Sequence, residues 1–408
     1  MSKAFTFDDL NKELSKISTY GDTLDKSEVS TVDHYISTGN YALNASLTGS
    51  VWGGFPNNRS IAIAGPSGTG KTYLILNAVR EAQKLGYSII YYDSENAVDK
   101  SLVEKFGIDP ARLRYEPCNT VQEFRSSVTN LTKMMLDAKK KGAELPRVMV
   151  ILDSAGNLAT QKEIDDAASG SDKSDMTRAR LLKSTFRILM TQLGICKVPF
   201  LFTNHVYQTQ DLFSKTVAGG GTGPEYAASI ILFLNKAKLA DGNSTGIIVT
   251  AKPNKNRFAK PTPVKFWIDF NKGMNPYVGL QEFISWDNCG IQRGRLISEK
   301  DFGKLGEKDK TDCRKHTYKN DKGDDVTVYF QPSETARKLV VRHLNDTVDL
   351  NMLFRPEIIT KEVLDLLDEK VIKPMFSYGV EDDFDEDQDP DKFSNADEIA
   401  EELSKENE

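Results

Sequence analysis

Ser60-Ile61-Ala62-Ile63-Ala64-Gly65-Pro66-Ser67-Gly68-Thr69-Gly70-Lys71-Thr72 is the stretch that decides the fold. It opens on an apolar run, closes on G-x-x-x-x-G-K-T, and is followed by helical periodicity over 72–85. Strand, glycine-rich turn and helix in that order form a phosphate cradle. Glycines let the main chain wrap so that its N–H groups point at phosphate oxygens. The helix N-terminus adds partial positive charge. In such a loop the lysine reaches the β- and γ-phosphates and the next hydroxyl ligates Mg²⁺. ATP and Mg²⁺ are therefore the expected ligands. Their expected contacts are Gly65, Pro66, Ser67, Gly68, Thr69, Gly70, Lys71, Thr72 and Tyr73, with Lys71 also catalytic. An ordinary glycine turn before a helix is the bland alternative, but the pattern arises by chance on the order of once in a hundred chains of this length.

Outward from the loop, further strand patterns fall at 87–93, 147–154, 198–204, 229–235, 246–251 and 264–270. The early ones are continuous apolar runs, the mark of strands covered on both faces of a parallel sheet. Helical patterns at 121–141 and 176–193 alternate with them, which is the α/β arrangement. The expected fold is an α/β P-loop core, a mostly parallel twisted sheet flanked by helices. The strands from 229 to 270 lack long intervening helices and are candidates for antiparallel pairing. Before the core, Phe7, Leu10, Leu14 and Ile17 recur every three or four residues, an amphipathic helix followed by a polar linker. The expected divisions are an arm and linker at 1–32, the core at 33–275, a small C-terminal region at 276–380 and an acidic tail at 381–408.

The net charge of −6 conceals an asymmetry. The tail holds 14 acids against Lys392 and Lys405, a net of −12, which leaves +6 on the rest. A mildly basic body with an acidic appendage leaves three readings of the tail open: it competes with a polyanion for the body, docks a basic partner, or aids solubility. The tail is too poor in apolar residues to pack and reads as disordered. No apolar run approaches the ~20 residues of a membrane helix, and 1–17 lacks a signal core, so a cytoplasmic location without membrane partners is expected. The four cysteines have neither zinc nor disulfide spacing and read as reduced thiols.

A phosphate cradle needs acids at the same sheet edge. Asp153 ends the apolar strand 147–154 and is the candidate for holding Mg²⁺ with Thr72. Glu95 lies just past the next strand, one strand–helix–strand unit from Lys71. A carboxylate there can orient the water that attacks the γ-phosphate. Asp93 competes for that role on local chemistry alone.

With these residues in hand, the chain resembles the RecA-type recombinases. The loop at 65–72, Tyr92-Asp93-Ser94-Glu95-Asn96-Ala97-Val98-Asp99 and Val150-Ile151-Leu152-Asp153-Ser154 match that core. Residues 153–159, 174–180 and 213–224 are similar to its phage UvsX branch. The resemblance implies Glu95 as the catalytic glutamate and His205 as a γ-phosphate sensor. It implies Lys255 and Arg257 as cations reaching a neighbouring subunit's nucleotide, with Tyr226 as a nucleotide contact from the same neighbour. It implies a homo-oligomeric helical filament on single-stranded DNA, exchange with homologous duplex DNA, and mediator and single-strand-binding partners. Leu102 stands where bacterial RecA stacks a tyrosine on the base, which puts base recognition in doubt.

Two stretches, 161–175 and 206–223, read as mobile ligand loops and coincide with the family's DNA loops. In the second, Phe213, Lys215, Gly220 and Gly221 are candidate DNA contacts. Arg180, Lys183 and Arg187 recur at i, i+3 and i+7, one helix face, and such a stripe suits a phosphate backbone. A solvated helix face is the bland reading. A hexameric RecA-like motor or helicase and an ATP-binding regulator are the rival functions. The arm argues against the first, and intact Lys71, Thr72, Glu95 and Asp153 argue against the second.

Overall fold

The structure is a computed structural model and describes residues 5–170, 177–208, 216–218, 227–238 and 245–379. In chain order its elements begin with α1 (Phe7–Ile17), β1 (Tyr35–Ile36), α2 (Tyr41–Thr48), β2 (Phe55–Pro56) and β3 (Ser60–Ala64). Then come α3 (Lys71–Lys84), β4 (Ser88–Asp93), α4 (Lys100–Lys105), β5 (Leu113–Pro117), α5 (Val121–Lys140), β6 (Val148–Asp153), α6 (Gln161–Ala168) and α7 (Arg178–Ile195). β7 (Phe200–Asn204), β8 (Val206–Gln208), β9 (Thr216–Ala218), β10 (Ile230–Lys238), β11 (Gly246–Asn256), β12 (Val264–Asp269) and β13 (Gly273–Met274) complete the first part.

One nine-stranded sheet, ordered β13-β12-β11-β10-β3-β7-β6-β4-β5, organises this part. From β10 to β5 every neighbouring pair is parallel. β10 also pairs antiparallel with β11, β11 with β12 and β12 with β13. The sheet is thus mixed and mostly parallel, with the antiparallel pairing expected for 229–270. Every residue of β3, β6 and β7 is buried, as their unbroken apolar runs require. β5 escaped the sequence reading because it is a polar, mostly exposed edge strand with no apolar signature.

The helices cover the sheet through one face each. α5 buries Val121, Phe124, Val128, Thr132 and Met135, spaced three or four apart. Thr120 caps it and Glu123 closes a capping box. Phe124 meets Tyr92 edge-on and lies over Phe200, so Phe124→Ala would cost about 3–5 kcal/mol. α7 packs Leu182, Phe186, Leu189 and Leu193 inward, two residues later in its start than expected. Thr132 of α5 donates to Gln192 of α7 at 2.8 Å.

Two expectations need correction. Residues 161–168 are not a loop but the helix α6, started by a capping box between Thr160 and Glu163. Its polar composition hid it, since a capped helix with no buried residue shows no apolar stripe. The stretch from 206 is likewise not all irregular. β8 and β9 pair antiparallel, Val206 opposite Ala218.

The region after 276 carries a second sheet of five antiparallel strands: β14 (Ile291–Ser298), β15 (Arg314–Lys319), β16 (Asp325–Pro332), β17 (Lys338–Val341) and β18 (Asp346–Asp349). Its Ile291, Leu339 and Val341, with Val363, Leu364 and Leu367 of the helix Lys361–Leu367, join the core that includes Leu74, Val249 and Phe266. Buried Asp368 accepts from the Val51 N–H at 2.7 Å and the Ser50 hydroxyl at 2.9 Å, fastening this region to the turn after α2. α1 stands apart from both cores with no residue buried. No described helix is long and apolar enough to cross a membrane.

Candidate active site

β3 lies between β7 and β10, while the chain leaves it through α3 for β4 two strands beyond β7. The order of connections reverses there, and the carboxyl ends of strands at such a point form a crevice for ligands. The loop 65–70 occupies that edge. Gly68 and Gly70 have φ of +69° and +88°, and a methyl on Gly70 would stand 2.7 Å from Ile268 Cδ1. Glycine is the residue that meets both demands. Thr69 closes the loop by donating to the Pro66 carbonyl at 2.9 Å.

Lys71 is buried, and its ammonium donates to the Gly65 and Pro66 carbonyls at 2.9 and 3.0 Å. Burial lowers its pKa, partly offset by the charges of Glu95 and Asp153. Thr72 donates to Asp153 Oδ2 at 2.8 Å. Tyr91 donates to the same oxygen at 2.8 Å, and Thr203 donates to Oδ1. Asp153 is 1% exposed, and burial raises its carboxyl above the usual range against the pull of these three hydroxyls. A buried carboxylate beside a hydroxyl at a phosphate loop is the oxygen donor set that Mg²⁺ takes, completed by substrate phosphates and water. The residues present therefore fit the ion and the nucleotide.

Glu95 and Asp93 separate cleanly. Asp93 accepts from the N–H groups of Glu95, Ala97 and Val98 at 2.9, 2.9 and 3.2 Å and from the Tyr115 hydroxyl at 3.3 Å. Its carboxylate is consumed in building the turn. Glu95 is half-buried, and its Oε1 meets Ser154 Oγ at 2.6 Å and His205 Nε2 at 2.8 Å. Burial raises the Glu95 carboxyl, but the bonds from Ser154 and His205 and the Lys71 charge hold it below the usual value. Glu95 and His205, from β4 and β7, meet only because β4, β6 and β7 are neighbours.

Other expected residues fall elsewhere. Tyr73 packs edge-on against Phe106 at 4.8 Å, and Leu102 is half-buried against the core. Arg180, Lys183 and Arg187 all lie on the exposed face of α7. Lys255 pairs in register with Ile231, which pairs with Ala62, and Arg257 shares a hollow of about 350 Å³ with Arg59 and Ser60. Both cations thus sit toward the strand-start edge, away from the chain's own phosphate loop. Tyr226, Phe213, Lys215, Gly220 and Gly221, and the tail 381–408, lie outside the described residues.

Sequence reasoning missed Tyr91, Thr203, Ser154 and Lys236. Lys236 reaches the Ser67 carbonyl at 3.4 Å from β10. Their signal is strand adjacency, which a linear pattern does not carry.

Comparison with known proteins follows the same lines. A sequence-family model described as the RecA N-terminal domain matches residues 4–275. The chain is 36% identical over 243 residues to a recombination and repair protein of Enterobacteria phage T4, across 58% of this chain and 60% of that protein. It is 28% identical over 247 residues to the mitochondrial DNA repair protein recA homolog 3 of Arabidopsis thaliana, across 58% and 54%. It is 27% identical over 237 residues to Protein RecA of Malacoplasma penetrans, across 57% and 68%. The match thus spans less than two thirds of the first two relatives' length.

Proposed function

This chain belongs to the RecA family, and from that premise we propose that it is a DNA-dependent ATPase that acts as a strand-exchange recombinase. It assembles as a helical filament on single-stranded DNA and pairs that strand with homologous duplex DNA, in recombination, repair and recombination-dependent replication. The observation that carries the reading is one sheet edge shared by an intact phosphate loop, a Thr72–Asp153 pair at 2.8 Å, a paired Glu95 and the start of a helix with an exposed cation stripe.

Lys71 exchanges the Gly65 and Pro66 carbonyls for β- and γ-phosphate oxygens. Thr72 and Asp153 would hold Mg²⁺, which would supply charge neutralisation at the phosphates. Glu95 orients the attacking water. His205, beside Glu95 and at the root of the β8–β9 hairpin, senses the γ-phosphate and passes its presence to that hairpin. Lys255 and Arg257, toward the strand-start side of the sheet, act on a neighbour's nucleotide as trans cations, and Tyr226 joins them. The exposed apolar face of α1 docks on an adjacent subunit. Arg180, Lys183 and Arg187, with Phe213, Lys215, Gly220 and Gly221, line the DNA path without reading sequence. Mediator and single-strand-binding proteins are the expected further partners.

The test is ATP turnover with and without single-stranded DNA, followed by strand exchange with homologous and unrelated duplexes. Strong stimulation and homology-dependent exchange are expected. Turnover indifferent to DNA, or unwinding of a forked substrate without exchange, overturns the proposal.

A further inference from the structure

One arginine ties the cation-bearing helix to the hydrolytic edge. Arg178 is the first residue of α7 and is half-buried. Its Nε donates to the Leu158 carbonyl at 2.6 Å and its Nη2 to the Ala155 carbonyl at 3.4 Å, with a second bond from Nη2 to the Gly156 carbonyl. These acceptors are the turn Ala155–Asn157 and the residue after it. The turn continues directly from Ser154, whose hydroxyl holds Glu95 at 2.6 Å. Its Gly156 packs on the end of β7: a methyl there would stand 3.0 Å from Asn204 Oδ1 and 3.5 Å from His205 Cδ2. A single guanidinium thus grips a turn that touches both Glu95, through Ser154, and His205.

The start of α7 is electrostatically unusual. Its first turn holds no acid, and Arg178 and Arg180 sit at the positive end of the helix dipole, where cations are unfavourable. Arg178 offsets this with carbonyl oxygens. Arg180 and Arg187 are exposed on the outer face of α7, where phosphates can reach them.

We propose that Arg178 is a positioning residue that couples DNA on the α7 face to the hydrolytic glutamate, through the turn Ala155–Asn157. The inference rests on the recombinase reading and adds the route by which DNA accelerates turnover. Phosphates engaging Arg180, Lys183 and Arg187 shift the start of α7. Because the fork of Arg178 is planar and spans three carbonyls, the turn follows the helix. Close packing at Gly156 leaves no slack, so Ser154 and His205 move with it and Glu95 is set for the attacking water.

The experiment uses the full chain. The readouts are ATP kcat and KM with saturating single-stranded DNA, and DNA affinity over a salt series with a non-hydrolysable ATP analogue. The variants are Arg178→Ala, Arg178→Lys and Gly156→Ala. Arg178→Ala should lose about tenfold in DNA-saturated kcat, with the ATP KM, DNA affinity and salt slope of the wild type. Arg178→Lys should recover little, since an ammonium cannot span the three carbonyls. Gly156→Ala should reproduce the kcat loss by pressing on Asn204 Oδ1, on the residue that leads into His205. Undiminished kcat in Arg178→Ala overturns the coupling. Full recovery in Arg178→Lys, together with a salt slope reduced by about one in Arg178→Ala, also overturns it by showing direct phosphate contact. Where Arg178→Ala does not fold, Gly156→Ala decides, and wild-type kcat there overturns the coupling. A wild type indifferent to DNA overturns the recombinase reading and this inference with it. A stimulated wild type with unaffected variants overturns the coupling alone.

Discussion

Replacing Glu95 with Gln tests the hydrolytic assignment with little structural disturbance. Ser154 Oγ and His205 Nε2 both meet the same oxygen, Oε1. A glutamine can leave its carbonyl there and turn its amide to the other side, so both contacts survive. What is lost is their charge assistance, roughly 1 kcal/mol per bond when dry. The side chain is 25% exposed, so solvent screening brings the total to about 1 kcal/mol of folding stability. Turnover is another matter. An amide cannot polarise the attacking water, and loss of a positioned base costs about 10²–10⁴-fold in kcat. The assay is steady-state ATP hydrolysis on single-stranded DNA, with nucleotide affinity measured separately and a urea melt for stability. The expected result is a near-wild-type melt, retained nucleotide binding and at least a hundredfold loss of kcat. Turnover within about threefold of wild type would refute the reasoning, because the water would then be oriented by another group.

The remaining predictions follow from the same geometry. Asp93→Asn keeps one acceptor oxygen for three N–H groups and should cost about 2–4 kcal/mol by urea denaturation; a stable protein with lost turnover would return Asp93 to the catalytic role. Glu95 has a folded pKa below its ordinary 4.5, so its contribution to stability is full above that value and is lost as pH falls through the lower folded one. The wild-type minus Glu95→Gln difference in stability should therefore shrink only on the acid side of 4.5. Joint replacement of Arg180, Lys183 and Arg187 by Ala should flatten the salt dependence of single-strand binding by about 2 in log–log slope, at about 0.7 per phosphate contact; an unchanged slope would make the stripe an ordinary solvated face. Phe7 and Leu14 are 67% and 45% exposed, so Phe7→Ser with Leu14→Ser should leave the melt unchanged. If α1 docks on a neighbour, the pair should weaken self-association more than a hundredfold, from about 3 kcal/mol of lost burial, read by light scattering.

Local chemistry wrote much of this protein into its linear order. The cradle at 65–72 is legible because its glycines, lysine and threonine must be contiguous to wrap a phosphate. Strands β3, β6 and β7 are legible because burial on both faces demands unbroken apolar runs. The same logic made α1 readable from four spaced apolar residues. Where an element lacks an apolar face the order was silent, as for the capped polar helix α6 and the edge strand β5.

Tertiary structure decided what depends on neighbours far apart in the chain. Local chemistry left Glu95 and Asp93 as rivals and only the resemblance favoured Glu95; the fold gives them different surroundings, with Asp93 bonded to three N–H groups and Glu95 meeting Ser154 and His205. Tyr91 and Thr203 joined Asp153 only when β4, β6 and β7 lined up side by side. Lys255 and Arg257 had a role only through the family resemblance; the fold sets Lys255 opposite Ile231 and Arg257 beside Arg59 and Ser60, toward the strand-start side of the sheet. The division has one cause. A strand's burial and a loop's curvature are properties of contiguous residues, whereas a site is made where strand ends converge, and their order in a sheet is fixed by packing of the whole core.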